Sequence, residues 1–443
     1  MQKKAPVMVS IVLAMLVSSL DTTITNTTMP IIAKELGHFE LYAWSFAAYM
    51  ILSTVVSPIA GRISDLYGRK KVFGAGILFF LVGSLLCGLS ESMMQLVLFR
   101  GLQGLGAGFM LPFPAIIAGD LFSIEQRGKI QAFFTGMWGL SAVLAPMLGA
   151  FFVEFASWRW IFMINIPICI LSFVLLIYYK EVYEPKPAKV DVWGGLLFAV
   201  GVSLLLATTV VKSGYLIYSL LGAAALAYFF VYEKKHTSPI VPLSLLNNRP
   251  VAFMIVNSFL ACAALFGTSS YIPLFLQNEG VSLFASGLAL LGIPFGWMAV
   301  GVPAGKWILK WGYGRLLLVG NSFLILSGLF LLSIGRGTGF WYVFLTMIIQ
   351  GLAFGLIVTV TIIGSQQLVA PHQKGISTSL QLFSRNIGTA IGVTVMGAFV
   401  TRNTDFYLGI HQMFLYGFIV SLFAFGSVFF IRDREAQKLS AEA

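Results

Sequence analysis

Among 17 acidic and 28 basic side chains in 443 residues, those able to do chemistry are the few set where water is scarce. Asp21 stands in Leu20-Asp21-Thr22-Thr23-Ile24-Thr25-Asn26-Thr27-Thr28-Met29-Pro30, inside the first apolar run. It is the only acid that falls within a predicted helix core. Desolvation disfavours the charged form of a carboxyl, which suits a group that exchanges a proton for another cargo. A structural role, bonded among Thr22, Thr25 and Asn26, is the alternative. Two basic residues share that depth: Arg100 in Arg100-Gly101-Leu102-Gln103-Gly104-Leu105-Gly106-Ala107-Gly108, and Arg385 in Ser384-Arg385-Asn386-Ile387-Gly388-Thr389-Ala390-Ile391-Gly392. A charge at the bilayer centre costs roughly 3 kcal/mol or more and is seldom kept without a partner or a wet cavity. Arg100 could also snorkel to the outer interface, and Arg385 could either line a cavity or tie helices together.

Other chemistries find no support. Cys87, Cys169 and Cys262 each lie inside apolar runs without a CxxC pair or histidine cluster, so they read as small buried hydrophobes. His38, His236 and His372 fall in loops and His411 near a helix start, so no metal site is expected. The segment Gly301-Val302-Pro303-Ala304-Gly305-Lys306-Trp307 is one residue short of a phosphate loop and carries Trp307 where Ser or Thr must reach the metal. Neither an ATP-driven pump nor an enzyme is expected, and no cofactor.

These residues must be positioned by helices in a bilayer. Hydrophobic residues make up 58% of the chain and charged ones 10%, against roughly 25% charged in a soluble domain. Apolar runs near the ~20 residues needed to span recur at 7–29, 42–60, 72–90, 93–119, 130–153, 160–180, 192–211, 214–232, 251–276, 284–309, 315–334, 340–366, 376–400 and 409–431. Every span must be helical, because an open strand would leave backbone groups unpaired in lipid. The first run follows Lys3 and Lys4 but ends without a small-residue cleavage site, so it reads as an uncleaved helix. With the N-terminus inside, 21 Lys and Arg fall on the cytoplasmic side and 5 outside, which places both termini in the cytoplasm. The net charge of +11 is therefore an orientation signal, not a nucleic-acid patch.

A weak internal repeat sharpens the architecture. Gly61 and Gly68 recur as Gly305 and Gly312, offset by 244, and Gln103-Gly104-Leu105 recurs as Gln350-Gly351-Leu352, offset by 247. At roughly 30 residues per helix and loop, that is about eight helices. The expected fold is an all-α membrane protein of fourteen helices: a six-helix bundle at 1–180, two linker helices at 181–250, and a second six-helix bundle at 251–443.

The loop Gly61-Arg62-Ile63-Ser64-Asp65-Leu66-Tyr67-Gly68-Arg69-Lys70-Lys71 closely resembles the GxxxDRxGRRK signature of the major facilitator superfamily, with Leu66 where that family usually has Arg. Asp65 and Arg69 can pair across one turn, with Asp120 a second partner for Arg69. The resemblance makes this a latch that holds two bundles together in the outward-facing state, whereas a plain reading leaves it as a basic loop that fixes orientation. The Asp21 segment, the Arg100–Gly108 segment, Gly139 through Pro146 and Gly149, and Trp158-Arg159-Trp160-Ile161-Phe162-Met163-Ile164-Asn165-Ile166-Pro167 are similar to motifs of fourteen-helix drug:proton antiporters. Ala145 and Ala150 replace expected glycines in the helix-5 "antiporter motif". The resemblance covers essentially the whole chain. It implies a monomeric, multi-pass protein of the cell membrane that exports hydrophobic or amphiphilic compounds in exchange for protons, with membrane lipid around it. Asp21, Asn26, Arg100, Gln103 and Arg385 would serve proton coupling and the substrate cavity. The same fold with a lipid, sugar or metabolite as cargo, or a transport-dead sensor or scaffold, is the alternative.

Overall fold

The computed structural model describes residues 4–37, 41–181, 191–208, 214–236, 239, 243–281, 283–402 and 405–431, and among them only helices and turns occur. Eleven stretches of these residues are long and apolar enough to cross a membrane. The described chain divides into two compact units. The first comprises Met1–Leu121, Met137–Leu243 and Pro371–Ser379; the second comprises Phe122–Gly136, Ser244–Ala370 and Leu380–Ala443.

The first unit holds α1 (Lys4–Leu36), α2 (Tyr42–Tyr67), α3 (Arg69–Gly88), α4 (Met93–Met110), α5 (Phe113–Leu121), most of α6 (Ile124–Phe155), α7 (Trp160–Met163), α8 (Asn165–Leu175), α9 (Val192–Ala207) and α10 (Tyr215–Glu233). Proline explains two breaks. Pro112 falls between α4 and α5, and Pro167 has no N–H to return to Met163, where α7 ends. Lipid offers helices little hydrophobic drive to associate, so small residues that allow close approach carry the packing. A Cβ on Gly104 would come within 2.7 Å of Tyr49 Cα, and one on Gly106 equally close to Phe80 Cα. A Cβ on Gly83 would likewise come within 2.7 Å of Gln103 N, so glycines seat α4 between α2 and α3. α1 joins the rest through hydroxyls: Ser10 Oγ donates to Ser172 O at 2.7 Å, and Ser19 Oγ lies 2.6 Å from Ser141 Oγ.

The second unit holds α11 (Leu243–Asn247), α12 (Arg249–Asn278), α13 (Leu283–Leu288), α14 (Gly292–Trp311), α15 (Tyr313–Leu332), α16 (Phe340–Gln367), most of α17 (Lys374–Arg402) and α18 (Phe406–Val428). Its packing repeats that of the first unit. A Cβ on Gly351 would come within 2.9 Å of Ile293 Cα, as one on Gly104 would of Tyr49 Cα, at the sequence offsets of 247 and 244 already noted.

One sequence expectation needs correcting. The stretch 61–71 is not an open loop: α2 continues to Tyr67, α3 starts at Arg69, and Gly68 alone separates them. Its φ of 103° is one that L side chains rarely adopt. Gly312, its repeat counterpart, separates α14 from α15 at φ 80°. The reversal is a one-residue hinge in both units.

Candidate functional site

In the first unit, Asp21 on α1 is fully buried and accepts three hydrogen bonds from two other helices, α4 and α8. Arg100 Nη1 donates to Oδ2 at 2.5 Å, and Gln103 Nε2 and Asn165 Nδ2 donate to Oδ1 at 2.7 and 3.0 Å. Arg100 and Gln103 lie three residues apart on α4 and share one face, so Arg100 Nη1 also donates to Gln103 Oε1 at 2.6 Å. Ser84 on α3 accepts from Gln103 and Asn165 at 2.8 and 3.3 Å. It can reach them because its neighbour Gly83 lets α3 lie against α4. Arg100 is also fully buried and does not snorkel; its guanidinium rests 4.4 Å from the Tyr49 ring centroid. Its Nε and Nη2 have no hydrogen-bond partner among the described residues.

Chemically, this is a desolvated carboxylate with both oxygens engaged and a permanently charged partner. Gln103 accepts from the arginine and donates to the carboxylate, so a change of charge on Asp21 is felt along α4. Among the described residues the hydrogen bonds of Asp21 run to α4 and α8, while Thr22 Oγ1 donates to Ser18 O in its own helix at 2.8 Å.

A second charged cluster surrounds the one-residue hinge. Asp65 Oδ1 and Oδ2 accept from the backbone N–H of Gly375 and Ile376 at 3.0 and 2.9 Å. Those amides belong to the first turn of α17 and have no partner within the helix, and a carboxylate there also meets the positive end of the helix dipole. Arg69 lies 3.6 Å from Asp65, forms an ion pair with Asp120 and donates to Pro371 O at 3.2 Å. Tyr179 OH donates to Asp120 at 3.0 Å. Gly61 lets this happen: a Cβ there would meet Gly375 O at 2.6 Å. The second unit carries the same close approach, a Cβ on Gly128 coming within 2.6 Å of Gly305 N, but Leu309 stands at the position equivalent to Asp65 and offers no acceptor. Next to the hinge, Lys70 N donates to Glu181 at 2.8 Å, and burial pushes the Glu181 carboxyl above its usual range.

The other expected residues fall elsewhere. Asn26 lies in α1 and Pro146 in α6, but their side chains are outside the described residues. Gly139 and Gly149 are on α6, as is Ser141, whose contact with Ser19 lies two residues from Asp21. Arg385 belongs to the second unit. Sequence reasoning missed Asn165, Ser84, Tyr49 and Tyr179. Asn165 was within the Trp158–Pro167 motif, where its position before Pro167 was a signal; the others had none.

A model of the Major Facilitator Superfamily matches residues 11–393. The chain belongs to that superfamily. It is 33% identical over 408 residues to "Multidrug transporter protein MdtP" of Bacillus subtilis (strain 168), covering 89% of this chain and 75% of that protein. It is 30% identical to "Multidrug efflux pump SdrM" of Staphylococcus aureus (strain N315), covering 88% of each. Among solved structures, the human organic anion transporter MFSD10 (TETRAN) superposes with a TM-score of 0.73 at 18% identity, over 97% of this chain and 100% of that one. The proton:xylose symporter XylE gives 0.66 at 15%, over 99% and 98%. At such identities these two carry the fold alone. The chain is thus a multi-pass membrane transporter of the superfamily, and not an enzyme.

Proposed function

We propose that this superfamily transporter exports hydrophobic or amphiphilic drug-like compounds in exchange for protons, with Asp21 as the proton-carrying group. The observation that carries the reading is the buried Asp21–Arg100–Gln103–Asn165 network. Protonation of Asp21 removes the charge opposite Arg100, and release restores it, so the network has two states a proton can choose between. The relatives named for multidrug transport and efflux support the choice of cargo. The Asp65–Arg69–Asp120 hinge and the first turn of α17 act as a latch that parts and rejoins during the cycle, as superfamily transporters alternate access by rocking.

The architecture proposed with this function has fourteen membrane helices, the eleven apolar stretches joined by α6, α9 and α17. Residues 1–180 and 251–443 form the two bundles and 181–250 the inserted pair. Both termini lie in the cytoplasm of a cell-membrane monomer surrounded by lipid. The test is a screen in proteoliposomes under an imposed pH gradient. Amphiphilic compounds should dissipate the gradient with the wild type and lose that effect with Asp21→Asn. Failure of every amphiphile with the wild type, or full exchange by Asp21→Asn, would defeat the proposal.

A further inference from the structure

Among the described residues of the second unit, Arg385 has no acid beside it. Arg385 lies on α17, its guanidinium carbon 5.6 Å from the Phe354 ring centroid on α16, with the Cys262 thiol of α12 alongside. Among the described residues Arg69, Arg100 and Arg159 each have a carboxylate, and no ion pair reaches Arg385. The described acids of this unit, Glu125, Glu279 and Asp405, stand at helix ends. Arg385 Nε is buried without a hydrogen-bond partner among the described residues.

A second stranded donor meets the same ring. Trp297 on α14 packs against Phe354 edge to face, with centroids 4.6 Å apart at 87°. The indole is 9% exposed and its Nε1 has no hydrogen-bond partner among the described residues. Gly355 makes room for it, since a Cβ there would come within 2.8 Å of Trp297 Cα. Phe266 adds another edge-to-face contact with Phe354 at 5.1 Å.

An uncompensated guanidinium inside a bilayer is costly, and its planar fork matches carboxylate or sulfonate oxygens. An indole N–H can only donate. A neutral ligand would leave the cation uncompensated, and a cationic one would be repelled. The surrounding rings suit an aromatic body. We infer that Arg385, Trp297 and Phe354 form an anion subsite that takes the carboxylate or sulfonate of an aromatic substrate. This rests on the transport function proposed above and narrows its substrate class to aromatic anions and zwitterions.

The test is equilibrium binding to the purified full chain in phosphatidylcholine nanodiscs, without a pH gradient. Radiolabelled 1-naphthoate, 1-naphthamide and 1-naphthylmethylammonium serve as probes. The wild type should bind the anion about tenfold or more tighter than the amide, as a charge-assisted hydrogen bond implies, and the ammonium most weakly. Arg385→Gln should remove the anion's advantage over the amide, Arg385→Lys should keep part of it, and Trp297→Phe should reduce it about threefold. Equal affinity for anion and amide in the wild type would overturn the inference. So would an anion advantage that survives Arg385→Gln, or, if that variant does not fold, one unchanged in Trp297→Phe. Displacement by nanodiscs containing phosphatidylglycerol with no naphthoate binding would assign the site to a lipid phosphate and overturn it too. Because no proton movement is read, loss of this subsite and failure of proton exchange are separate results.

Discussion

A carboxyl loses its charge on protonation whereas a guanidinium keeps its own, so the two halves of the buried Asp21–Arg100 pair should respond differently to removal of the partner. Asp21→Asn strands a permanent cation, which costs about 3–5 kcal/mol. Arg100→Gln leaves an acid that can neutralise itself and keeps donors at 2.7 and 3.0 Å from Gln103 and Asn165. Thermal melts in detergent should therefore rank Arg100→Gln above Asp21→Asn in stability. The double variant should be more stable than Asp21→Asn alone, and the reverse order would show that the pair does not act as drawn. Residue type and depth made Asp21 and Arg100 legible in the sequence, because a charge in an apolar run always needs a reason, and Gln103 was legible through the helix-4 motif it shares with Arg100. Their mutual contacts were not legible: they depend on α4 lying against α1 and α3, which the glycine faces decide. Ser84 is an ordinary serine in an apolar run until Gly83 brings it to Gln103.

At the scale of the element, the hinges show what spacing can and cannot reveal. Gly68 and Gly312 were visible as a repeat, and both adopt positive φ. That they form one-residue turns between continuous helices was not visible, since hydropathy falls off before the helix ends at Tyr67. Replacing Gly68 by Ala should cost about 1–3 kcal/mol of backbone strain, read as a lower melting temperature. Gly61→Val should act through contact instead, pushing the start of α17 away from Asp65 and slowing transport more than it lowers stability.

Another element-scale device lies at the end of α12. Glu279 accepts from Tyr407 OH at 2.5 Å and from Gly337 N at 2.6 Å, and these bonds, with Arg336 nearby, hold its carboxyl below its usual range. A lowered folded-state value means its contribution is fully present above the unfolded carboxyl range and is lost as pH falls through the folded one. Glu279→Gln should thus lower the melting temperature at pH 7, and the gap from wild type should close as pH is brought below about 4. A gap independent of pH would contradict this.

For the whole molecule, the sequence repeat at 244–247 residues reappears as paired close approaches, Gly104 on Tyr49 and Gly351 on Ile293. Its chemistry does not repeat. Thr268 stands 247 residues from Asp21 and accepts from Gln350 at 2.8 Å, so the ionisable group of one unit has a neutral hydroxyl counterpart in the other. Helices α9 and α10 are joined by Asp191, which accepts from Gly194 N at 2.8 Å and from Tyr232 OH at 3.3 Å. With the three native cysteines buried, single cysteines can report topology. Lys212→Cys should label with impermeant maleimide from outside, and Lys235→Cys only in inverted membranes. Labelling of both from one side would remove the fourteen-helix arrangement.

The central claim is that a proton and the substrate compete through Asp21, and proton release on binding tests it most directly. Purified protein in weakly buffered detergent would be titrated with a compound it transports, while a pH dye and binding are followed together. The wild type should release protons in proportion to substrate bound, and Asp21→Asn should bind substrate without release. Equal release by Asp21→Asn would contradict the account and place the coupling proton on another group.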